Sequence, residues 1–254
     1  MQLLRKLFAY PEVWVLTFIA LLTRLWYLGR PSDIVFDEVY FRQFAADYLS
    51  GHYFFDIHPP LVKLLFAGVG TLFGLSPHDV AEGAAGVEVL RILPAIAGAI
   101  LVPLMYVVLR QFGLSRRIAT LGALFVLCDN ALLVESRFVL MDSLLLLFGI
   151  AAISCFLQFR KSSGRRRVVW LVGMSLCIGM LVGTKWTGLA IAGLLAVVWL
   201  YEYGMQKSHK NWRQFVSECA VVVAIVSGVY IGCFAIHFSL LPFSGDGDVF
   251  MSER

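Results

Sequence analysis

Charge is scarce in this chain, and that scarcity excludes a soluble globular domain. Asp, Glu, Lys and Arg make up 15% of the 254 residues, whereas hydrophobic residues make up 59%. Soluble domains carry roughly 25% charged residues. The composition therefore predicts an integral membrane protein, and the net charge of +4 reflects its short loops rather than a nucleic-acid surface.

No disulfide framework, internal repeat or cleavable signal peptide is evident in the sequence. Its five cysteines all fall in apolar segments, where we expect them to pack as small buried side chains: Cys128, Cys155, Cys177, Cys219 and Cys233. No small-residue cleavage site follows the first apolar stretch, so that stretch is expected to remain as an anchor. The absence of a repeat disfavours the transporter folds that are built from repeats.

Seven apolar segments are predicted to be membrane-spanning helices, which need about 17–25 residues each. They cover residues 10–28, 89–109, 118–134, 138–159, 168–183, 187–203 and 215–238, and 168–183 is marginal in length. Two further helices are predicted in the first outer loop, residues 29–88. One is an amphipathic stripe from Phe41 to Leu49, and the other is the run 61–73, which is too short to span and suits an interfacial helix.

The basic residues predict the orientation, because cytoplasmic loops carry an excess of Lys and Arg. With the N-terminus inside, inner segments hold 13 of the 21 Lys and Arg residues. These are Arg5, Lys6, Arg110, Arg116, Arg117, Arg160, Lys161, Arg165, Arg166, Arg167, Lys207, Lys210 and Arg213. Seven spans then place the C-terminus outside.

Charges in or next to the predicted spans gather near the outer ends. They are Arg24, Arg91, Asp129, Arg137, Asp142, Lys185 and His237. Taken singly, each is explained by snorkelling or by a salt bridge at a helix end. Charges in a membrane are costly, so their common depth predicts a polar cavity that opens to the outside and whose cations suit an anion such as a phosphate.

Six short motifs in order carry a resemblance to a known family. They are FDEVYF at 36–41, YFFDIHPPL at 53–61, LRILP at 90–94, RFVLMDS at 137–143, GTKWTG at 183–188, and HFSLLP at 237–242 followed by SGDGD at 244–248. From about residue 23 to residue 252, the chain resembles the protein O-mannosyltransferases, which are polytopic glycosyltransferases of the GT-C class.

The resemblance implies an all-α GT-C helical bundle that forms dimers. It also implies transfer of mannose, with inversion, from a polyprenyl-phosphate donor to Ser or Thr hydroxyls of proteins on the non-cytoplasmic side. The membrane would be the plasma membrane in a prokaryote or the endoplasmic reticulum in a eukaryote. Family members carry further C-terminal spans, so residues 1–254 are expected to be a single transmembrane module from a fragment or a short member.

Asp37 is the predicted catalytic base. The acceptor hydroxyl is a weak nucleophile that needs a base, whereas the lipid phosphate leaves readily and needs only positive charge. A single inverting displacement requires one such carboxylate. The adjacent Glu38 is expected to orient Asp37, to pair with an arginine or to contact the acceptor. Capping of the helix that follows is the alternative interpretation of the Asp-Glu pair.

Cations are expected to bind the donor phosphate, with Arg91 ranked first, followed by Arg24, Arg137, Lys63 and Lys185. His58 and Asp56 are predicted to bind substrate. A lipid-headgroup anchor is the alternative for Lys63, and a structural turn is the alternative for His58. No cofactor is expected, and a divalent cation bound by Asp56 with Asp246 and Asp248 is the less favoured interpretation.

Four other classes compete with this interpretation. The nearest is another GT-C enzyme that uses a different lipid-linked sugar, and a second is an inactive fragment or partner subunit. A transporter would also place ionisable groups in its helices, but the charges here lie at the outer rim. A seven-helix receptor would keep its N-terminus outside, which conflicts with the basic inner loops.

Overall fold

The computed structural model describes residues 10–205 and 211–251, and within them the chain is all-α, as predicted. No strand forms in those ranges, where the only β-type pairing is an isolated parallel bridge between His52 and Phe243. The helices are α1 Pro11–Leu25, α2 Glu38–Ser50, α3 Leu61–Leu72, α4 Pro77–Ala81, α5 Ala84–Gln111, α6 Arg116–Cys128, α7 Asn130–Glu135, α8 Asp142–Arg160, α9 Gly164–Thr184, α10 Leu189–Met205 and α11 Trp212–Leu240. Short 3-10 helices cover Trp186–Gly188 and Asp246–Phe250.

Five of the seven predicted spans are helices long and apolar enough to cross a membrane. They cover Gly86–Gln111, Asp142–Arg160, Gly164–Thr184, Trp186–Met205 and Trp212–Leu240. The other two predicted spans are shorter than the ~17–25 residues that a straight span needs. The first is the 15-residue helix α1, and the third is divided into α6 and α7.

The third predicted span breaks at Asp129. This residue has an extended backbone, with φ −64° and ψ 121°, and its carboxylate accepts a hydrogen bond from the N–H of Leu132 at 2.9 Å, so that it caps α7. Asp is a favoured N-cap because its side chain satisfies a free N–H in the first turn. The break leaves the carbonyl of Val126 without a helical partner, and the Arg24 guanidinium donates to it at 3.4 Å.

The two helices predicted in the first outer loop are both present, as α2 and α3. Helix α2 ends at Gly51, whose φ of +79° is the left-handed conformation that glycine adopts without strain. Helix α3 begins after Pro60 and ends at Leu72. A third short helix, α4, was not predicted, although its capping box between Ser76 and Asp79 is a recognisable start signal.

The helices pack around α5, which contacts α1, α6 and α8, while α9 contacts α8 and α11. One apolar core lies between α1, α5 and α6, and another lies among α8, α9, α10 and α11. A further core joins the outer-loop helices α2, α3 and α4 to α5 and to the start of α8. The loop is therefore a folded layer on one end of the bundle, and it fixes the site described below.

The last two spans bury little of their surface within the described chain. Only 11% of the most apolar window of Trp186–Met205, and 6% of that of Trp212–Leu240, is buried. Four of the basic residues used for the orientation, Arg5, Lys6, Lys207 and Lys210, lie outside the described residues.

Candidate active site

Glu38 and Arg91 form a buried ion pair beneath the start of α2. The guanidinium donates from Nε to Oε1 of Glu38 at 2.8 Å and from Nη2 to Oε2 at 2.6 Å, and both side chains are fully buried. Nη1 of Arg91 donates to the carbonyls of Leu28 at 3.3 Å and Pro31 at 2.7 Å, and Nη2 donates to that of Asp33 at 3.2 Å. All five N–H groups of Arg91 are therefore engaged.

The carboxylate of Glu38 is equally well satisfied by the backbone. Oε2 accepts from the N–H of Val35 at 2.9 Å, and Oε1 accepts from the N–H of Val139 at 2.8 Å. A buried ion pair is tolerated when further hydrogen bonds satisfy its remaining valences, and both partners here meet that condition. This network, which we call the Glu38–Arg91 knot, ties the turn after α1 and the start of α8 to α5.

The knot changes the roles predicted for its two members. Glu38 pairs with an arginine, one of the three roles expected for it. Arg91 was ranked first among the phosphate ligands, but all five of its N–H groups already have acceptors in this structure. The geometry therefore argues against a phosphate role for Arg91 and favours a structural one.

Asp37 lies beside the knot with its carboxylate unengaged. It occupies the N-cap position of α2, yet its side chain makes no capping hydrogen bond, so the capping interpretation is not observed. Across the described ranges 10–205 and 211–251, no hydrogen bond or ion pair involves this carboxylate, which is half-buried. The preceding Phe36 has a φ of +55°, an uncommon conformation for a bulky residue and one that tends to mark functional sites.

Lys63 and Asp56 form a second ion pair, between α3 and the segment before it. Lys63 is 1% exposed, donates to Asp56, and also donates to the carbonyl of His58 at 2.6 Å. Because an ammonium group has three N–H donors, one remains beyond these two contacts. Burial lowers the pKa of the His58 ring, which favours its neutral form at pH 7. In a neutral imidazole, one ring nitrogen donates a hydrogen bond and the other accepts one.

Lys185 is partly exposed, whereas Arg24, Lys63 and Arg91 among the predicted phosphate ligands are buried. Its backbone is extended between α9 and the 3-10 helix, and its Nζ donates to Oδ1 of Asp142, the first residue of α8, at 2.8 Å. The two side chains are 20% and 36% exposed. Lys185 and Asp142 both act electrostatically on His58 and on Glu135, so these groups belong to one polar cluster. Burial, with the neighbouring Asp142, raises the pKa of Glu135.

Arg24 and Arg137 meet at the carboxyl end of α1. Arg137 donates to the carbonyls of Thr23 at 3.0 Å, Arg24 at 3.1 Å and Tyr27 at 3.0 Å, where a cation complements the helix dipole. The side chain of Arg24 is 1% exposed and has no acidic partner in the described part of the chain. Its Nε has no hydrogen-bond partner there either. These contacts favour a structural role for Arg137, whereas Arg24 is an incompletely satisfied buried cation among the described residues.

Asp56 and Asp248, two of the acids considered for a cation, each make separate contacts in this structure. No group of three or more His, Cys, Asp or Glu side chains suited to a metal occurs in residues 10–205 and 211–251. Asp56 is paired with Lys63, and Asp248 accepts from the N–H of Gly245 at 3.2 Å and from Ser244, capping its own turn. The geometry therefore favours a structural role for the SGDGD run at 244–248.

Sequence reasoning missed two buried contacts at the site. Arg42, on the same face of α2 as Glu38, donates to the carbonyls of Val80 at 2.8 Å and Gly83 at 3.0 Å. Its position four residues after Glu38 was the available signal. The hydroxyl of Tyr48 and Nδ1 of His237 lie 2.6 Å apart in a hydrogen bond that joins α2 to the end of α11. No local pattern indicates that contact, because its members are 189 residues apart.

The bundle, the folded outer loop and the carboxylate at its base define a polytopic GT-C type membrane protein. The comparisons agree on the family. The model of the family described as dolichyl-phosphate-mannose-protein mannosyltransferase matches residues 14–242. This chain belongs to that family.

Relatives and solved structures support the same assignment. Protein O-mannosyltransferase 1 of Drosophila pseudoobscura pseudoobscura is 35% identical over 94% of this chain and 28% of its own length. A solved structure of the Saccharomyces cerevisiae protein O-mannosyltransferase Pmt1-Pmt2 complex bound to the sugar donor superposes with a TM-score of 0.86 and 30% identity. The match covers 95% of this chain and 35% of that one.

A more distant structure shows the fold alone. The Archaeoglobus fulgidus oligosaccharyltransferase in its apo form has a TM-score of 0.69 at 16% identity, over 92% of this chain and 30% of that one. The chain thus spans about a third of the length of the relatives that it matches. The predicted GT-C type fold is confirmed, and the protein is an integral membrane protein.

Proposed function

We propose that the chain transfers mannose from a polyprenyl-phosphate-mannose donor to Ser or Thr hydroxyls of proteins. In this reaction the acceptor oxygen forms a bond to the anomeric carbon of the sugar. The bond from that carbon to the phosphate oxygen breaks, and polyprenyl phosphate leaves. The hydroxyl proton passes to Asp37, and a single displacement inverts the configuration at the sugar.

The observation that carries this proposal is the free carboxylate of Asp37 beside the fully satisfied Glu38–Arg91 knot. A base needs a free carboxylate in a fixed position. We infer that Asp37 supplies the free carboxylate and that Glu38 fixes its position. Glu38 is committed to Arg91 and to two backbone N–H groups, so that it fixes the start of α2. Asp37 is left available to accept a proton. The names of the relatives support the same reaction.

We assign the donor phosphate to Lys185, with Lys63 as the second cation. Lys185 is accessible and has only one acidic partner, and Lys63 retains one N–H beyond its contacts to Asp56 and His58. Both cations lie in the cluster that also contains His58 and Asp142. Positive charge aimed at the departing phosphate stabilises the transition state more than the ground state. His58 and Asp56 would contact the substrate at the edge of this cluster.

The basic inner segments support a cytoplasmic N-terminus and a site on the non-cytoplasmic side, in the plasma membrane of a prokaryote or the endoplasmic reticulum of a eukaryote. Assembly with a second chain of the same family is part of the proposal, because the solved relative is a complex of two such chains. An acceptor protein supplies the hydroxyl, and no cofactor takes part in the displacement.

The test is an assay of membranes containing the chain, with polyprenyl-phosphate-mannose and a Ser/Thr-rich peptide. General bases contribute about 10²–10⁴-fold to rate, so Asp37→Asn is expected to lower transfer by at least about 10²-fold. Asp33→Asn is the matched control, because Asp33 lies in the same loop with an exposed side chain. Undiminished transfer in Asp37→Asn would remove Asp37 as the base.

The same assay separates the competing functions. A product with retained sugar configuration would exclude the single displacement. Preferential use of a different lipid-linked sugar would favour another GT-C activity. Absence of transfer by the unmodified chain would refute activity of the chain on its own and favour an inactive partner subunit.

A further inference from the structure

The segment after the last helix is bound closely to the loop that carries Asp56 and His58. We call residues 241–251 the strap and residues 53–58 the substrate loop. The N–H of Tyr53 donates to the carbonyl of Phe243 at 2.9 Å, and the N–H of Phe243 donates to the carbonyl of Gly51 at 3.0 Å. The N–H of Gly247 donates to the carbonyl of Tyr53 at 3.2 Å. Two of these backbone hydrogen bonds join the strap to the substrate loop, and the third joins it to Gly51 just before the loop, although the segments are almost 200 residues apart in sequence.

Two glycines make this approach possible. A Cβ atom added at Gly247 would lie 2.6 Å from the carbonyl carbon of Phe54 and from the nitrogen of Phe55. One added at Gly245 would lie closer still to the carbonyl oxygen of Tyr53. Ordinary contacts of a Cβ begin at 3.4 Å, so a side chain at either position would push the strap and the substrate loop apart by about 1 Å.

A buried hydrogen bond between α2 and α11 lies next to the start of the substrate loop. His237, at the end of α11, is 7% exposed and lies 2.6 Å from the hydroxyl of Tyr48 in α2. The rings of Tyr53 and Phe54 pack edge-on against the imidazole, with centroids 6.1 Å and 5.3 Å away. The start of the substrate loop is thus fixed by α2, by α11 and by the strap together.

The substrate loop has no regular secondary structure, so its shape depends on these contacts. Two residues beyond Phe54, Asp56 holds the buried ammonium group of Lys63, and His58 supplies that ammonium with a second acceptor through its carbonyl. A displacement of the loop would therefore move Lys63. The knot that holds Asp37 is built from other residues and would not move with it.

We propose that the strap positions the substrate loop for the polyprenyl-phosphate donor, with Gly245, Gly247 and His237 as positioning residues. This inference rests on the proposed function, because it assumes that the Asp56–Lys63 pair faces the donor. In this proposal the glycines of the SGDGD run let the backbone of the strap approach the backbone of the substrate loop. A displacement of about 1 Å at a substrate-positioning group can cost on the order of 10²-fold.

The test measures binding of polyprenyl-phosphate-mannose to the purified full chain in nanodiscs, by titration that reports both Kd and stoichiometry. Gly247→Ala is expected to weaken Kd by at least tenfold at unchanged stoichiometry. The matched control is Gly232→Ala in α11, where an added Cβ meets nothing within 4 Å, and it should bind as the unmodified chain does. A purely structural role for Gly247 would lower the stoichiometry and leave Kd unchanged, which would overturn the proposal.

Two further variants keep the test decisive. If Gly247→Ala does not fold, Tyr48→Phe removes only the hydroxyl that contacts His237 and should weaken Kd at least threefold. An unchanged Kd in Tyr48→Phe would then overturn the proposal. Asp37→Asn should bind donor normally and lose transfer. If the unmodified chain binds no donor, the proposed function fails, whereas normal binding by both Gly247→Ala and Tyr48→Phe defeats the strap alone.

Discussion

Replacing Arg91 by methionine distinguishes a structural guanidinium from one that binds phosphate. The substitution keeps an apolar stem of similar length and removes all five donors. It leaves the Glu38 carboxylate in a fully buried position with only the N–H groups of Val35 and Val139 as partners. The carbonyls of Leu28, Pro31 and Asp33 also lose their donor.

The expected loss is large. Removing one partner of a buried ion pair costs about 3–5 kcal/mol, because the other charge stays buried and uncompensated. For a chain of this length that corresponds to a fall in Tm of roughly 6–20 °C. Adding Glu38→Gln to Arg91→Met removes the stranded charge, so the double variant should be more stable than Arg91→Met alone.

The assay is thermal unfolding in nanodiscs together with donor titration. Arg117→Met is the matched control, since Arg117 is exposed at the start of α6 and an exposed substitution changes stability by about 0.5 kcal/mol or less. Arg91→Met with an unchanged Tm and a weakened donor Kd would refute the structural role and restore Arg91 as a phosphate ligand.

Two more predictions concern the polar cluster. Lys185→Met should weaken the donor Kd by about tenfold or more and reduce the salt dependence of that Kd, since a hydrogen bond to a charged group contributes about 1.5–3 kcal/mol. The control Lys161→Met, at the opposite end of α8, should leave the Kd and its salt dependence unchanged. Equal losses of affinity in the two variants would contradict the assignment of Lys185. The lowered pKa of His58 means that the folded state favours the neutral ring, so stability is present above pH 6.5 and is lost as the pH falls toward the folded-state pKa. Unfolding temperatures at pH 7 and pH 5 should therefore differ less in His58→Gln than in the unmodified chain, and an identical pH dependence would refute this account.

Local patterns predicted the outer-loop helices well because their signals are local. The apolar stripe through Phe41 and Tyr48 marks α2, and Gly51 marks its end. Pro60 and the apolar run after it mark α3. The break at Asp129 escaped prediction because the apolar content on both sides is continuous. An Asp that caps a first-turn N–H, as Asp129 caps that of Leu132, is nevertheless an ordinary helix start.

The sequence named candidate site residues, but it did not predict which of them pair with one another. Sequence distance hides contacts such as Glu38 to Arg91, which lie 53 residues apart, and Tyr48 to His237. The common depth of the cations indicated a polar region. It could not show which guanidinium already donates hydrogen bonds to backbone carbonyls, as Arg91 does. Only the geometry shows that the N–H groups of Arg91 are all engaged, whereas Lys185 is partly exposed with one acidic partner among the described residues.

The 53-residue separation within the knot has a consequence for biogenesis. During synthesis Glu38 emerges well before α5 does, so the acid has no arginine partner until α5 has been delivered to the bilayer. The Asp37 carboxylate, proposed as the base, thus acquires its final geometry only after that insertion step. Formation of the site around Asp37 therefore depends on insertion of α5. A ribosome-bound nascent chain that ends before Arg91 should carry Asp37 in an unformed site.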